Sequence, residues 1–303
     1  MIAAYKVRVS HEQPTSPMQP AINAATRLCA VFGSPIKHSA SPAMHNAAFA
    51  ALKLNWCYVA CEVDPKNLRA AIAGAQAMGF AGLNLTVPHK LLAVDMVDAL
   101  DDSAKRWGAV NTIHFTDHGS VGYNTDADAI ITSLREDLGV ALPGAKVLLL
   151  GAGGAGRTAA LKLASEAVGE LYLVNRTQSK AEEIAREIQN QFSGVKVFTQ
   201  YPKTEVDLVL NATSLGLKAG EASPLDERQF SLKQARAVYD MIYRPAETPL
   251  LQAARHSGCK MANGLGMLLH QGAKAFEIWT GNKPPLQVMR QALEENVYGK
   301  AKS

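Results

Sequence analysis

The apolar run Val147–Leu150 leads directly into Gly151-Ala-Gly-Gly-Ala-Gly156, and a helix-forming stretch begins immediately behind it. Gly151, Gly153 and Gly156 satisfy G-x-G-x-x-G, and a second strand-like run, "ELYLVN", follows within about 30 residues of the first. Strand, glycine loop, helix and strand in that order form a βαβ unit. The glycines permit a tight turn and let a pyrophosphate approach the helix N-terminus, where unpaired N–H groups and the helix dipole favour an anion. The run therefore predicts a parallel, doubly wound sheet that binds a dinucleotide. At the end of the second strand, where a carboxylate would accept the ribose hydroxyls of NAD, stand Asn175, Arg176 and Thr177. A guanidinium and a hydroxyl suit a 2′-phosphate that a carboxylate would repel, which favours NADP. Arg157 is a candidate second charge for that phosphate, and Lys180 a weaker third.

With 303 residues, 48% of them hydrophobic, the chain is long enough for two ordinary domains with a core each. From Leu28 onward "LCAVFG", "SPAMHNAAFAALKL", "WCYVACEV", "PKNLRAAIAGAQAMG" and "GLNLTVP" alternate strand and helix patterns, so the first half is also an α/β unit. The segment "NTIHFTDHGSVGYNTD" reads as two strands around a turn, followed by an amphipathic stretch from Ala127 to Leu138 and the breaker "GVALPGA", where the domain connection is expected. After the second α/β series, "LGMLLHQGAKAFEIWTG" and "PLQVMRQALEENVYG" read as two helices with no strand behind them. The first residues, through "SHEQPTSPMQP", are polar and punctuated by proline, the pattern of a loosely ordered extension over 1–26.

The net charge of +4 arises from 31 basic and 27 acidic residues spread along the chain, without the basic tract of a nucleic-acid surface. A small anionic ligand fits this balance. No apolar run approaches the roughly 18 residues of a membrane helix, and four cysteines without C-x-x-C spacing suggest free thiols in a reducing cytoplasm. Cys57 and Cys61 share a face of a strand and are expected to be buried as small hydrophobes. His114 and His118 are four apart in a hairpin, not on one helical face, so no metal site is expected.

Polar residues gather in the first half. In "GLNLTVPHK", Leu83, Leu85 and Val87 alternate with Asn84 and Thr86, and Pro88 halts the strand before Lys90. Ser39 and Ser41 precede Pro42, a first-turn position, so Ser41 is a natural N-cap and the pair a candidate carboxylate receptor. Asn111 and Thr112 in "GAVNTI", and Asn124 and Asp126 in "GYNTD", stand near strand ends, where each alone would be an ordinary turn residue.

In order and spacing, "GSPIKHSASP", "NLTVPHK", "GAVNTI", "GYNTD", "GAGGAG", "NRT", "NATSLGL", "YDMIYRPAETPLL" and "NGLGMLLHQGAKAFEIWTG" resemble the shikimate dehydrogenase family from about Cys29 to Gln291. The resemblance implies an N-terminal α/β substrate-binding domain (27–126 and 265–303), a C-terminal Rossmann NADP-binding domain (127–264), and final helices that return to the first domain. It implies reversible, NADP-dependent reduction of 3-dehydroshikimate to shikimate in a cleft between the domains. By motif match Lys90 and Asp126 are the catalytic pair. Ser39 and Ser41 bind the substrate carboxylate, Thr86, Asn111, Asp126 and Gln271 its hydroxyls, and Tyr243 closes over it. The cofactor falls to Gly151, Ala152, Gly153, Gly154, Ala155 and Gly156, to Asn175, Arg176, Thr177 and Arg157, and to Thr213, Met241 and Gly264. Ala127, where the family usually has glycine, and Lys180, where arginine is frequent, depart from the pattern. The same motifs admit a quinate/shikimate or aminoshikimate dehydrogenase using NAD or NADP. A non-catalytic NADP-binding regulator would have no need of Lys90 with Asp126. Small-molecule partners, no nucleic acid or membrane, and a monomer or homodimer complete the expectation.

Overall fold

In the computed structural model, which describes residues 22–218 and 220–299, two sheets stand side by side. The first half comprises β1 (Arg27–Gly33), α1 (Ser41–Ala51), β2 (Trp56–Glu62), α2 (Leu68–Ala77), β3 (Gly82–Leu85), β4 (Ala99–Leu100), α3 (Asp102–Trp107), β5 (Thr112–Thr116), β6 (Gly119–Tyr123) and α4 (Asp126–Leu138). The second comprises β7 (Lys146–Leu150), α5 (Gly154–Ser165), β8 (Glu170–Val174), α6 (Gln178–Gln191), β9 (Lys196–Phe198), β10 (Val206–Asn211), β11 (Ala235–Asp240), α7 (Pro249–His256) and β12 (Lys260–Asn263), followed by α8 (Leu265–Thr280) and α9 (Leu286–Tyr298).

The first sheet runs β2-β1-β3-β5-β6-β4 and is mixed: β1, β2 and β3 are parallel, whereas β5 pairs antiparallel with both β3 and β6. The second runs β12-β11-β10-β7-β8-β9 and is parallel throughout. Its order reverses between β7 and β10, the switch point at which such sheets open a crevice beyond the strand carboxyl ends. Short β4, α3 and β12 carry no periodicity that the alternation of patterns would reveal.

Both central strands are buried on two faces, as parallel strands with helices on each side must be. Cys29 and Val31 of β1 face a core shared with α1, α8 and α9, while Ala30 and Phe32 face one shared with α2. In β7, Val147 and Leu149 pack with α4 and α5, and Leu148 and Leu150 pack with α7.

Two helices join the halves. The apolar face of α4 (Ala127, Ile130, Ile131, Leu134) enters the core around β7 and α5, and Trp107 of α3 enters it too. The returning helix α8 places Leu269, Phe276 and Trp279 against Met44 and Phe49 of α1. Gly272 permits that approach, since a Cβ there would lie 2.1 Å from Met44 Cε. Trp279 Nε1 then donates to the Ile113 carbonyl at 2.9 Å, fastening α8 across the first sheet.

Several expectations are corrected. Helix α1 is preceded by Ala40 at its N-cap with no side-chain cap, so Ser41 is its first residue, not the cap. Val87 leaves the apolar face of β3 because the strand ends at Leu85, and it is 68% exposed. Cys57 and Cys61 are only half-buried, since β2 is an edge strand; all four cysteines are free. Of the extension over 1–26, residues 1–21 lie outside the described residues, and Thr26 is tied by its hydroxyl to Asn55 at 2.7 Å. Among the described residues no helix is long and apolar enough to cross a membrane.

Candidate active site

A cavity of about 390 Å³ opens between the two sheets. Ser39, Ser41, Asn84, Thr86, Lys90, Asp126 and Gln271 line it from the first half and the returning helix, and Ala155, Leu217, Met241, Tyr243 and Gly264 from the nucleotide side. Lys90 enters from the turn after β3, its backbone carbonyl held by the Val110 N–H at 2.8 Å. Its ammonium meets Asp126 Oδ2 at 2.7 Å. Asp126 opens α4, where the N-terminal dipole favours a carboxylate. Asn124, not Thr125, caps that helix: Asn124 Oδ1 accepts from the N–H groups of Asp126 and Ala127.

Around this pair the polar groups are fixed by one another. Asn84 Oδ1 accepts from the buried Tyr58 hydroxyl at 2.7 Å, and Asn84 Nδ2 donates to Thr112 Oγ1 at 3.0 Å. Thr86 crosses so close to β1 that a Cβ on Gly33 would lie 2.4 Å from its methyl. Ser39 Oγ accepts from the Ser41 N–H at 3.3 Å, turning the first-turn amide toward a hydroxyl. Gln271 Nε2 donates to the Leu268 carbonyl, which leaves its amide oxygen available. Burial pushes the Tyr243 phenol above its ordinary range, against an opposing effect of the Ala40 backbone and Arg244.

At the other end, the glycine loop has the shape a pyrophosphate requires. Gly151 adopts φ +109°, a Cβ on Gly156 would lie 2.1 Å from the Gly151 carbonyl oxygen, and Gly153 and Gly154 face open space. Asn175 Oδ1 accepts from the Ala152 N–H and orients the loop. Arg176 and Thr177 are exposed beside it, and Arg176 makes no hydrogen bond or ion pair with any described residue. Thr213 follows β10 with its hydroxyl on Asn211, and a Cβ on Gly264 would strike the Met241 carbonyl at 2.0 Å. These residues fit a dinucleotide with a 2′-phosphate.

Residues 31–113 match the family profile described as shikimate dehydrogenase substrate binding domain, residues 133–238 that of shikimate / quinate 5-dehydrogenase, and residues 264–294 that of the shikimate 5'-dehydrogenase C-terminal domain. The shikimate dehydrogenase (NADP(+)) of Desulforamulus reducens is 42% identical over 284 residues, covering 91% of this chain and 97% of its own. The chain belongs to the shikimate dehydrogenase family.

Solved shikimate dehydrogenases share its architecture. One in complex with NADP+ aligns with a TM-score of 0.83 at 38% identity, over 93% of this chain and 99% of its own. That of Thermus thermophilus, in complex with NADP(H) and shikimate, aligns with a TM-score of 0.80 at 36% identity, over 89% of this chain and 99% of its own.

Within this member of the shikimate dehydrogenase family, two site expectations need revision. Arg157 does not face the exposed Asn175–Thr177 turn. Its Nε and Nη2 hold both carboxylate oxygens of Glu187, and its Nη1 donates to the Trp107 carbonyl at 2.7 Å. Asn111 is 1% exposed and is not among the cavity-lining residues; it exchanges bonds with Thr125 and so braces the residue before Asp126. Conversely, Asn84 was missed. The available signal was a polar side chain in a strand otherwise apolar and buried throughout. Also unread was Asp240, fully buried, whose carboxylate accepts from Thr248, Asn211 and the Ile242 N–H and so holds the turn carrying Met241 and Tyr243.

Proposed function

We propose that this protein is an NADP-dependent shikimate dehydrogenase, catalysing the reversible reduction of 3-dehydroshikimate to shikimate. The observation that carries the reading is the Lys90–Asp126 pair, 2.7 Å apart, on a cavity walled on one side by the glycine-loop helix and on the other by hydroxyls and amides. Residues 27–126 and 265–303 serve as the substrate domain in this reading, and 127–264 as the nucleotide domain.

NADPH supplies the hydride to the ketone carbon when bound. As negative charge develops on the carbonyl oxygen, the Lys90 ammonium stabilises it and donates the proton, so the alcohol leaves neutral. Asp126 holds Lys90 in place and accepts a bond from a substrate hydroxyl. Ser39 and Ser41 receive the carboxylate at the start of α1, Thr86 and Gln271 the remaining hydroxyls, and Tyr243 covers the ring. Asn111 acts through Thr125. Arg176 and Thr177 bind the 2′-phosphate, and Asn175 shapes the loop around the pyrophosphate. Four free thiols suit a reducing cytoplasm.

The test is absorbance of reduced nicotinamide in the near ultraviolet, with shikimate and quinate each offered with NADP and NAD. Turnover is expected to be fastest with shikimate and NADP. Preference for quinate or for NAD would replace this reading with a related specificity, and absence of turnover in all four combinations would refute it.

A further inference from the structure

Resting on that functional reading, we infer that Arg157 is a positioning residue, which sets the catalytic Lys90 at its distance from the glycine loop. Arg157 stands in the first turn of α5, immediately after Gly156. Two of its nitrogens grip the Glu187 carboxylate on α6, a bidentate pair that fixes the plane of the guanidinium. The third donates to the carbonyl of Trp107, the last residue of α3. That bond ties the nucleotide helix to the substrate half across 50 positions of chain.

From Trp107 the path to the chemistry is short. Gly108 follows at φ +61°, and a Cβ there would stand 3.4 Å from Arg157 Nη1, so the chain turns directly over the guanidinium. Two residues on, the Val110 N–H holds the Lys90 carbonyl at 2.8 Å. The next residue, Asn111, receives the Thr125 N–H at 2.8 Å, immediately before Asp126. One guanidinium thus braces, through a single carbonyl, the backbone supports of both members of the pair. Trp107 cannot slide away from it: the indole is 4% exposed within the core built by α4 and α5, and Arg106 lies 4.9 Å over its ring. Both half-buried partners of the ion pair are shielded enough to persist, with side chains 29% and 28% exposed.

Hydride transfer is sensitive to such placement, since misplacing reacting atoms by about 1 Å can cost about a hundredfold in rate. Three readings on Arg157→Ala and Arg157→Lys test the inference: affinity for NADPH and NADH from their fluorescence on the free enzyme, kcat for 3-dehydroshikimate reduction, and the primary isotope effect with 4-deuterated NADPH. In Arg157→Ala, kcat is expected to fall about tenfold or more with a larger isotope effect, while the NADPH to NADH affinity ratio stays within about twofold. Arg157→Lys, able to reach one partner but not both, should recover part of the loss. If the alanine variant does not fold, Glu187→Gln carries the test and should lower kcat in the same sense. Unchanged kcat in folded variants, or collapse of the NADPH preference, would overturn the inference, the second by returning Arg157 to the 2′-phosphate. A parent without shikimate turnover overturns the functional reading and this inference together; an active parent with fully active variants overturns this inference alone.

Discussion

Lys90 Nζ and Asp126 Oδ2 are 2.7 Å apart, although the residues are 36 positions apart and belong to a turn after β3 and the start of α4. The pair is neither a surface ion pair nor a dry one: its side chains are 28% and 10% exposed, and both line the cavity.

Lys90→Met, which keeps the stem and removes the ammonium, is expected to lower kcat by at least about a hundredfold while changing the Michaelis constant for shikimate much less. Asp126→Asn should also lose rate. Because the two act as a unit, the double variant should lose less than the product of the single losses. A Lys90→Met enzyme that keeps most of its turnover in steady-state assays would remove the lysine from the chemistry.

Arg176 is exposed at the end of β8, with its guanidinium unpaired among the described residues. Arg176→Ala should raise the Michaelis constant for NADP far more than that for NAD, by the factor that corresponds to about 1.5 to 3 kcal/mol for a charge-assisted bond. Equal effects on the two cofactors would count against it.

Ser39→Ala and Ser41→Ala should both raise the Michaelis constant for shikimate. Since α1 has no side-chain cap, Ser41→Ala should leave stability within less than the roughly 1 kcal/mol of a lost N-cap, whereas Ser39→Ala gives up the acceptor for the Ser41 N–H. Thermal unfolding beside kinetics separates the two effects, and unchanged shikimate kinetics in both variants would reject the carboxylate role.

Stability in acid should report on His45. Its ring is fully buried, stacked 4.3 Å from Tyr58, and neither nitrogen has a hydrogen-bond partner among the described residues, so burial holds its pKa down to about 3 from 6.5. Between those values the unfolded chain takes up a proton that the folded one does not. Stability is therefore fully present above pH 6.5 and falls as pH is lowered, by about 1.4 kcal/mol per unit for one such group. Urea unfolding of His45→Phe across about pH 6 to 4 should show a slope shallower by that amount. Parallel slopes would mean that the parent ring becomes charged within the fold.

Asp240 is the counterpart with the opposite sign. Burial raises its carboxyl pKa, and bonds from Thr248, Asn211 and the Ile242 N–H oppose that shift. Thr248→Val removes one of these bonds and the cap of α7 together, and is expected to cost about 2 to 4 kcal/mol in denaturant unfolding. A cost below about 1 kcal/mol would show that the buried carboxyl does not depend on that hydroxyl.

Local sequence determined whatever depends on neighbours along the chain. The glycine loop was legible because its spacing carries the turn geometry itself, as Gly151 at φ +109° and the Gly156 contact bear out. The α/β alternation was legible from periodicity, and the two tail helices from their apolar faces. Lys90, Asp126, Ser41 and Gln271, singled out through the family resemblance that the motif order carries, line one cavity. Only the tertiary structure decided which polar groups remain free to bind. Arg157 and Arg176 both stand beside the nucleotide-binding motifs, and in the sequence both are candidates for the 2′-phosphate, Arg176 first. Glu187 and the Trp107 carbonyl, 30 and 50 positions from Arg157, occupy its donors, while no described residue pairs with Arg176. Asn111 is likewise drawn behind the cavity by Thr125, and Asn84 brought to its wall beneath Tyr58. A hydrogen bond forms only within about 3 Å and a narrow angle, and which distant groups meet those limits depends on how the sheets and helices pack, not on the periodicity that builds each of them.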